Sequence, residues 1–420
     1  MRRAALLVAL LAPSAAFATA GYFQIGYGLK SKGLGGAAAA FPQDSLAAAT
    51  NPAGMVWVGE RADLGLEWFA AERGSRISGN AQGLDGDRDA SDPHALPLPE
   101  MGANRMLDAR RSIGVSVYAT GGSTRYADNP FAAALGGASS TAGMDFQQAV
   151  VAPTFAGKLG ERHSLGISLN VVYQRFRARG LEHFDDPSFS ASPGSVTNRG
   201  WDPALGVGAR IGWLGRVTPA LSLGAAWQPK TPMQKFERYK GLLADSGSFD
   251  VPENYVAGAA YKATPSVTLV ADVQRILYSR VRALGNRADC LLDTSCLLGT
   301  KGGPGAGWRD VTVFKAGVSY EASRKTTLRA GVAWLRQPIP QNQTLLNIFA
   351  PAVSERHLAL GATWRLGAGE LTLSYVHALE NTVAGRSSIP AGAPPGGVGG
   401  GEADIHMRQR ALGVAYGWAL

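Results

Sequence analysis

The chain has 420 residues, of which 54 are glycine and only 17% are charged. This composition is typical of strands that alternate apolar with small or polar side chains, and it is unlike that of helical domains. The formal charge of +9 is modest and spread along the chain, so we expect no nucleic-acid partner.

Residues 1–20 form a predicted signal peptide. They start with two arginines, continue with a short apolar stretch and end with the small residues Ala18 and Ala20. The apolar stretch is much shorter than the roughly 20 residues of a membrane-spanning helix, and no later segment comes closer to that length. We therefore expect a mature protein that begins at Gly21 and is either soluble in the periplasm or a membrane β-barrel.

The next segment, residues 21–60, is rich in glycine and alanine and lacks the two-residue periodicity of a strand. A segment with few bulky side chains can fold compactly inside another structure, and a large barrel needs its lumen filled to prevent leakage of water. We therefore expect residues 21–60 to plug a barrel that residues 61–420 form.

From residue 62 onward, short segments alternate apolar with small or polar residues, which places alternate side chains on opposite faces of a strand. In the last segment, Leu412, Val414 and Tyr416 belong to one face, and glycine and alanine form the other. Pro97 and Pro99 make the second segment the least regular. Fourteen segments are predicted, near 62–70, 96–105, 111–120, 146–157, 165–174, 202–213, 220–229, 254–261, 266–275, 311–320, 326–335, 356–364, 370–379 and 411–420.

The connections between these segments alternate between short turns and long loops. The long ones are expected near 71–95, 121–145, 177–201, 230–253, 276–310, 336–355 and 380–405. A soluble β-sandwich would not sort its loops in this way, whereas a membrane barrel joins its strands by short periplasmic turns and longer external loops. The predicted fold is therefore all-β, a 14-stranded antiparallel transmembrane barrel.

Bulky aromatic residues near the strand ends are typical of the girdles that membrane barrels place at the lipid interfaces, although a buried sheet face would also carry them. They are Trp213, Trp227, Trp334, Trp364, Tyr375 and Trp418.

Three stretches in the first sixty residues carry a family resemblance. They are Gly21-Tyr22-Phe23-Gln24, Gly33-Leu34-Gly35-Gly36-Ala37 and Asn51-Pro52-Ala53-Gly54, of which the last is the most specific. Together with later stretches such as 152–154, 271–275 and 327–331, they resemble the long-chain fatty-acid outer-membrane transporter (FadL) family, which includes aromatic-hydrocarbon transporters. The resemblance covers essentially the whole mature chain.

The resemblance implies passive uptake of hydrophobic compounds across the outer membrane, with long-chain fatty acids as the first expectation and aromatic hydrocarbons as the alternative. External loops would capture the compound and pass it to a pocket that the mature N-terminus reaches, beside an N-terminal hatch. A side opening near strand 111–120, where Gly114, Gly121 and Gly122 permit a bend, would release it. The implied ligand or hatch residues are Gly21, Tyr22, Phe23, Asn51, Pro52 and Ala53.

The alternation also places several charged residues in the lumen, namely Glu67, Arg210, Asp272, Lys315 and Arg329. The three cations could hold a fatty-acid carboxylate, or the charges could pair with one another or with the hatch.

The two cysteines, Cys290 and Cys296, lie in one predicted external loop and are expected to form a disulfide in the oxidising periplasm. No metal site is expected there, because no further ligands lie nearby. No cofactor is expected either, and no nucleotide-binding loop is seen.

Three other functions remain open. An outer-membrane lipid hydrolase would need a Ser, a His and an acid together, but Ser374 and His377 are three apart on one strand and should face opposite sides. A general porin should carry a ladder of inward charge and no hatch, and a purely structural barrel leaves residues 21–60 without a purpose. The protein is not expected to be an enzyme.

The expected partners, besides the hydrophobic compounds, are outer-membrane lipid, lipopolysaccharide and the barrel assembly machinery, with no nucleic acid and a monomeric state. Surface Lys and Arg could contact lipopolysaccharide phosphates, although ordinary solvated loop charge explains them as well.

Overall fold

The computed structural model describes residues 20–92, 95–132, 139–292, 295–392 and 397–420. Apart from Ala20, the predicted signal peptide lies outside these ranges. Among the described residues, no helix is long and apolar enough to cross a membrane.

Fifteen strands in chain order form one antiparallel sheet. Their bounds are β1 Arg61–Ser78, β2 Gly86–Asp89, β3 Ala95–Met106, β4 Arg111–Tyr126, β5 Ala142–Leu159, β6 His163–Arg179, β7 Asp202–Arg216, β8 Leu221–Gln228, β9 Asn254–Lys262, β10 Val267–Ile276, β11 Val311–Glu321, β12 Thr326–Leu335, β13 Arg356–Leu366, β14 Gly369–Val383 and β15 Glu402–Ala419. The sheet closes because β15 pairs with β1 from Arg61↔Ala419 to Ser78↔Glu402. Strand β2 pairs only with the end of β1. The other fourteen strands form the barrel wall, which confirms the predicted 14-stranded antiparallel barrel.

The strand connections differ in length at the two ends of the barrel. Short turns join β3 to β4, β5 to β6, β7 to β8, β9 to β10, β11 to β12 and β13 to β14, and the remaining, long connections lie at the opposite end. We name these the short-turn end and the long-loop end.

Several strands extend further toward the long-loop end than predicted. Strand β1 ends at Ser78 rather than near residue 70, and β4 ends at Tyr126 rather than near 120. In this region backbone pairing continues, but the side chains no longer alternate between apolar and polar, so the periodicity that marks a strand is lost.

The outer face of the barrel carries an exposed apolar belt. On β6, the alternate residues from Leu165 to Tyr173 are between 36% and 51% exposed, whereas Ser168 and Gln174 on the inner face are buried. This stretch is about 26 Å long along the strand and includes nine residues, which is within the roughly 9–11 residues of a tilted transmembrane strand. Stacked aromatic pairs lie at both rims of the belt, with Trp227–Tyr255 and Phe314–Trp334 toward the long loops and Tyr416–Trp418 toward the short turns.

Residues Ala20–Gly59, which we name the N-terminal segment, lie inside the barrel and are almost entirely buried. Their regular structure is limited to single turns at Leu29–Lys32, Ala47–Ala49, Pro52–Gly54 and Met55–Val58. Short helical turns in the long loops are Glu182–Phe184, Glu237–Tyr239, Ala244–Gly247, Tyr278–Arg280, Arg282–Gly285, Asp289–Leu292, Gln341–Gln343 and Thr344–Asn347.

Glycines on the inner wall allow the N-terminal segment to approach the strands closely. Gly317 and Gly331 face each other on β11 and β12, and the backbone of Leu34 lies over both. A Cβ atom on Gly331 would lie 2.1 Å from the Leu34 carbonyl carbon, far inside contact distance. Equally close approaches join Gly166 to Pro52, Gly212 to Asn51 and Gly224 to Ala39. Part of the high glycine content therefore serves the contact between wall and segment.

Candidate functional site

The start of the N-terminal segment lies in an aromatic cluster in the long-loop half of the lumen. The ring of Tyr22 lies 5.4 Å from that of Phe146 on β5 and 6.0 Å from those of Phe249 and Tyr278 in two long loops. Tyr278 donates a hydrogen bond to the carbonyl of Ala20. Burial raises the pKa of the Tyr278 phenol well above its usual value, so the hydroxyl keeps the proton that it donates.

An apolar cavity of about 140 Å³ lies between this cluster and the long loops. Tyr22 lines it from below, and three long loops line it from the other side, through residues such as Leu242, Phe249, Trp308 and Phe349. The remaining lining comes from Gly122 on β4, Met144 and Phe146 on β5, and Phe176 on β6. No Lys, Arg or His is among the described residues that line it.

Three polar side chains line this cavity, and two of them bond to each other. Trp308 donates to Asn347 at 2.7 Å, and Asn347 in turn donates to the carbonyl of Ala306 at 2.7 Å. The hydroxyl of Tyr22 is buried and has no hydrogen-bond partner among the described residues. The cavity thus has almost entirely apolar surroundings, an arrangement typical of small-molecule sites.

The barrel wall has a gap between β3 and β4, which ends toward the long loops at a bridge between Ser91 and Arg125. The two strands pair only from Met101↔Val117 to Met106↔Ser112, although β3 pairs with β1 as far as Ala95 and β4 pairs with β5 as far as Tyr126. Pro97 and Pro99 cannot donate backbone hydrogen bonds. Because they are two residues apart, their nitrogen atoms face the same edge of β3, and that edge lacks both donors. This local sequence suits an edge that does not pair.

The N-terminal segment lies against the unpaired edge of β4. Thr120 donates to the carbonyl of Tyr22, and Gln24 donates to the carbonyl of Ala119. The rings of Tyr27 and Tyr118 are 4.5 Å apart. The same few residues therefore touch both the cavity and the gap in the wall, and the gap lies on the strand where the family resemblance implied a side opening.

The Asn-Pro-Ala motif fixes the other end of the segment to the wall. Asn51 is buried, donates to the carbonyls of Ala39 at 2.7 Å and Trp213 at 2.9 Å, and accepts from the backbone of Ala53 at 3.1 Å. Pro52 occupies the first position of the following turn, where its missing N–H is not needed. Asn51 thus joins two parts of the segment to strand β7.

Buried ion pairs hold the centre of the segment. Lys32 lies 3.0 Å from Glu67 on β1 and 3.6 Å from Glu100 on β3. Lys30 pairs with Glu370 on β14, which also pairs with Arg61. These contacts join the segment to strands on both sides of the barrel closure.

The five charged residues that alternation placed in the lumen are all buried on the inner face. Arg210 donates to the carbonyl of Thr50 and to Gln228, Lys315 donates to Gln274, and Arg329 donates to Gln43 and Thr363. Asp272 accepts from the backbones of Ala38 and Ala39. Within the described ranges, none of the three cations has a carboxylate within 4.0 Å, and none lines the cavity.

Cys290 and Cys296 are joined in a disulfide in the β10–β11 loop. Ser374 is buried on the inner face, whereas His377 lies on the outer face, where it stacks with Tyr375. In the part of the chain that the structure describes, no group of acidic, His and Cys side chains could hold a metal ion.

Sequence reasoning singled out Tyr22 and Phe23 but missed the loop residues that complete the cavity. The available signal was apolar clustering in loops that ought to be polar, as at Leu242-Leu243, Phe249 and Trp308.

Comparison with protein families matches residues 5–389 to the family described as outer membrane protein transport protein (OMPP1/FadL/TodX). A comparison with curated proteins gives no match.

Among solved structures, the chain is similar to the Pseudomonas putida toluene transporter TodX, with 15% identity, a TM-score of 0.67, and coverage of 94% of this chain and 99% of that one. The Ralstonia pickettii toluene transporter TbuX gives 16% identity and a TM-score of 0.62 over 94% and 99% of the chains. A Pseudomonas aeruginosa FadL homologue gives 15% and 0.66 over 97% and 99%. At these identities the likeness shows a common fold.

Proposed function

Because the chain belongs to the FadL/TodX family of outer-membrane transport proteins, and is therefore an outer-membrane barrel, we propose that it takes up small neutral hydrophobic compounds of the size of a single aromatic ring. By the general rule for such barrels, the short turns face the periplasm and the long loops face outward. The cavity beneath the long loops then becomes the first binding site for a compound that arrives from outside.

The size and lining of the cavity carry this proposal. Its volume of about 140 Å³ is close to that of an engineered apolar cavity, of roughly 150 Å³, that binds benzene. Pockets for larger, drug-sized ligands measure roughly 300–1,000 Å³. A neutral ring therefore suits the cavity better than a long acyl chain, and the lack of a lining cation disfavours a carboxylate. TodX and TbuX are themselves described as toluene transporters.

Long-chain fatty acids, the first expectation from the sequence, are the second candidate cargo. The observation in their favour is that Arg210, Lys315 and Arg329 have no carboxylate within 4.0 Å among the described residues. A fatty-acid carboxylate that moved past the cavity into the lumen would meet these cations.

The proposed route leads from the cavity to the gap between β3 and β4. Displacement of Tyr22 and Gln24 from β4 would connect the two, so the N-terminal segment acts as a hatch. Release into the membrane keeps the compound out of water, which stabilises it by about 0.8 kcal/mol per buried CH₂ group. Transfer of this kind follows the concentration gradient, and none of the proposed steps is catalytic.

The outer surface of the barrel indicates which other partners the protein has in the membrane. The exposed apolar belt suits outer-membrane lipid, and insertion by the barrel assembly machinery is part of the proposal. The barrel closes between β15 and β1, and the N-terminal segment covers the unpaired edge of β4, so a monomer is part of the proposal as well.

Equilibrium binding to the purified protein tests the cavity. We expect labelled toluene to bind to the unchanged protein. Ala306→Phe fills the cavity and should abolish that binding. Ala322→Phe, on the short turn between β11 and β12, should leave it unchanged. Oleate binding that survives Ala306→Phe, together with no toluene binding in any variant, would favour the fatty-acid candidate. Equal toluene binding by all three proteins would show that the cavity is not the site.

A further inference from the structure

A row of arginines lies on the outer face of β6, immediately beyond the apolar belt. Arg175, Arg177 and Arg179 continue the outward face that Leu165 to Tyr173 begin, and Phe176 and Ala178 between them are buried. Residues two apart on a strand are separated by about 6.7 Å, so the row extends for about 13 Å toward the long-loop end.

The height of this row corresponds to the headgroup layer of the membrane. The apolar belt also ends on β1 and β15, where Trp68 and Leu412 pair with each other and charged outward residues lie beyond them. Those residues include Glu72 and Arg408, which pair with each other. The arginines on β6 therefore lie where acyl chains end in the leaflet on the long-loop side.

Neighbouring side chains on β5 orient the arginines. Arg177 and Arg179 share one carboxylate, that of Asp145 on β5, at 2.6 Å and 3.1 Å. Arg175 donates to the neutral side chain of Gln147. Arg177 and Arg179 thus carry one more positive charge than the carboxylate that they share, and Arg175 adds a third guanidinium group to the row.

An aromatic ring supports the row. The guanidinium groups of Arg175 and Arg177 lie 4.3 Å and 4.4 Å from the ring centre of Trp201. Stacking of this kind holds guanidinium planes in place and leaves their edges available for planar anions. Arg177 and Arg179 remain 25% and 33% exposed, so a ligand can reach them from the membrane side.

We propose that Arg175, Arg177 and Arg179 form a binding site for a phosphate group of lipid A, the phosphorylated glycolipid of the outer leaflet. Guanidinium groups bind phosphate through pairs of charge-assisted hydrogen bonds. Basic clusters at headgroup height recognise anionic lipids in the same way. Of the lipids in an outer membrane, lipid A occupies the leaflet at the long-loop end, and its phosphates lie at the level of the row.

The outward arginines on β15 provide a matched control. Arg408 and Arg410 also lie just beyond the apolar belt on their strand, where both pair with Glu72, and no aromatic ring lies over them among the described contacts. This pair has two guanidinium groups instead of three and no aromatic support, so we expect weaker phosphate binding.

Native mass spectrometry of the full-length, delipidated protein in detergent tests the site. The probes are lipid A with both phosphates, dephosphorylated lipid A, and inorganic phosphate. We expect R175Q/R177Q/R179Q to bind phosphorylated lipid A about tenfold more weakly than the unchanged protein, and R408Q/R410Q to bind it within about twofold. Equal binding by both variants, or equal binding of dephosphorylated lipid A, overturns the proposal, and displacement of lipid A by millimolar inorganic phosphate assigns the site to free phosphate instead.

The triple substitution leaves Asp145 without its two arginine partners, so a second variant tests the site in case the triple variant does not fold. Asp145→Asn removes the competing carboxylate while keeping all three arginines. We expect it to bind phosphorylated lipid A more tightly than the unchanged protein, with the heat-modifiable gel mobility of a folded barrel. Weaker or unchanged binding by the folded Asp145→Asn protein contradicts the proposal.

Discussion

At the scale of single residues, the contact of Leu34 with the glycine pair of β11 and β12 shows how tightly the N-terminal segment fits. We predict that Gly331→Ala destabilises the seated segment by about 1–3 kcal/mol, because the new methyl group would overlap the Leu34 backbone. Thermal unfolding followed by heat-modifiable gel mobility measures the effect. Gly157→Ala, whose Cβ would have no neighbour closer than 3.9 Å, is the control and should change little. Equal effects would mean that the close approach is unimportant.

The charge of Lys32 is needed because two carboxylates lie beside it. Lys32→Met leaves Glu67 and Glu100 buried without their cation, and we predict a loss of about 3–5 kcal/mol in stability. Adding Glu67→Gln and Glu100→Gln should recover most of that loss, whereas Lys262→Met, in an exposed position, should be silent. A purely steric role for Lys32 predicts no recovery of stability in the triple variant. The recovery therefore decides between a steric and an electrostatic role.

Tyr22 lines the cavity, and its buried hydroxyl has no hydrogen-bond partner among the described residues. A ring compound with a hydroxyl group, such as p-cresol, could pair with the Tyr22 hydroxyl, whereas toluene could not. We predict that Tyr22→Phe weakens p-cresol binding by about two- to tenfold, the contribution of one neutral hydrogen bond, and leaves toluene binding unchanged. A parallel loss for both compounds would indicate a change of shape rather than a lost hydrogen bond.

At the scale of elements, the unpaired edge of β4 is held by the N-terminal segment. Thr120→Val keeps the shape of the side chain but leaves the Tyr22 carbonyl without its donor. We predict faster amide hydrogen exchange in residues 22–27 of this variant. Thr372→Val removes a hydroxyl that contacts Thr363 on the wall and makes no described hydrogen bond to residues 22–27, so it should not change that exchange. Unchanged exchange in Thr120→Val would show that this bond does not hold the segment.

The strands were predictable because lipid on one side and a packed lumen on the other impose strict alternation, as from Leu165 to Tyr173. Their ends at the long-loop side were not, because from Arg175 onward the outward residues are polar and the contrast between faces is lost. The sequence shows that Pro97 and Pro99 make their strand irregular. The gap in the wall also depends on where β4 pairs, which the sequence does not show. The cavity could not be predicted, because Leu242, Phe249 and Trp308 come from loops without periodicity and meet only in the folded chain.

At the scale of the whole molecule, the cavity, the N-terminal segment and the wall gap form one continuous set of contacts. Tyr22 lines the cavity and accepts a hydrogen bond from Thr120, and Thr120 lies on the edge that β3 leaves unpaired. The ion pairs of Lys30 and Lys32 hold the rest of the segment in place. This arrangement predicts that the first residues of the segment move while its centre stays fixed.

Uptake by cells that lack their own transporter tests the central claim most directly. Labelled toluene and labelled oleate would be offered to cells that express this protein or a version without residues 22–41, with each barrel first shown to be in the outer membrane. We predict uptake of toluene in preference to oleate, and loss of that uptake in the deletion. No uptake of either compound by the intact protein would contradict the proposed transport function and leave only the barrel fold standing.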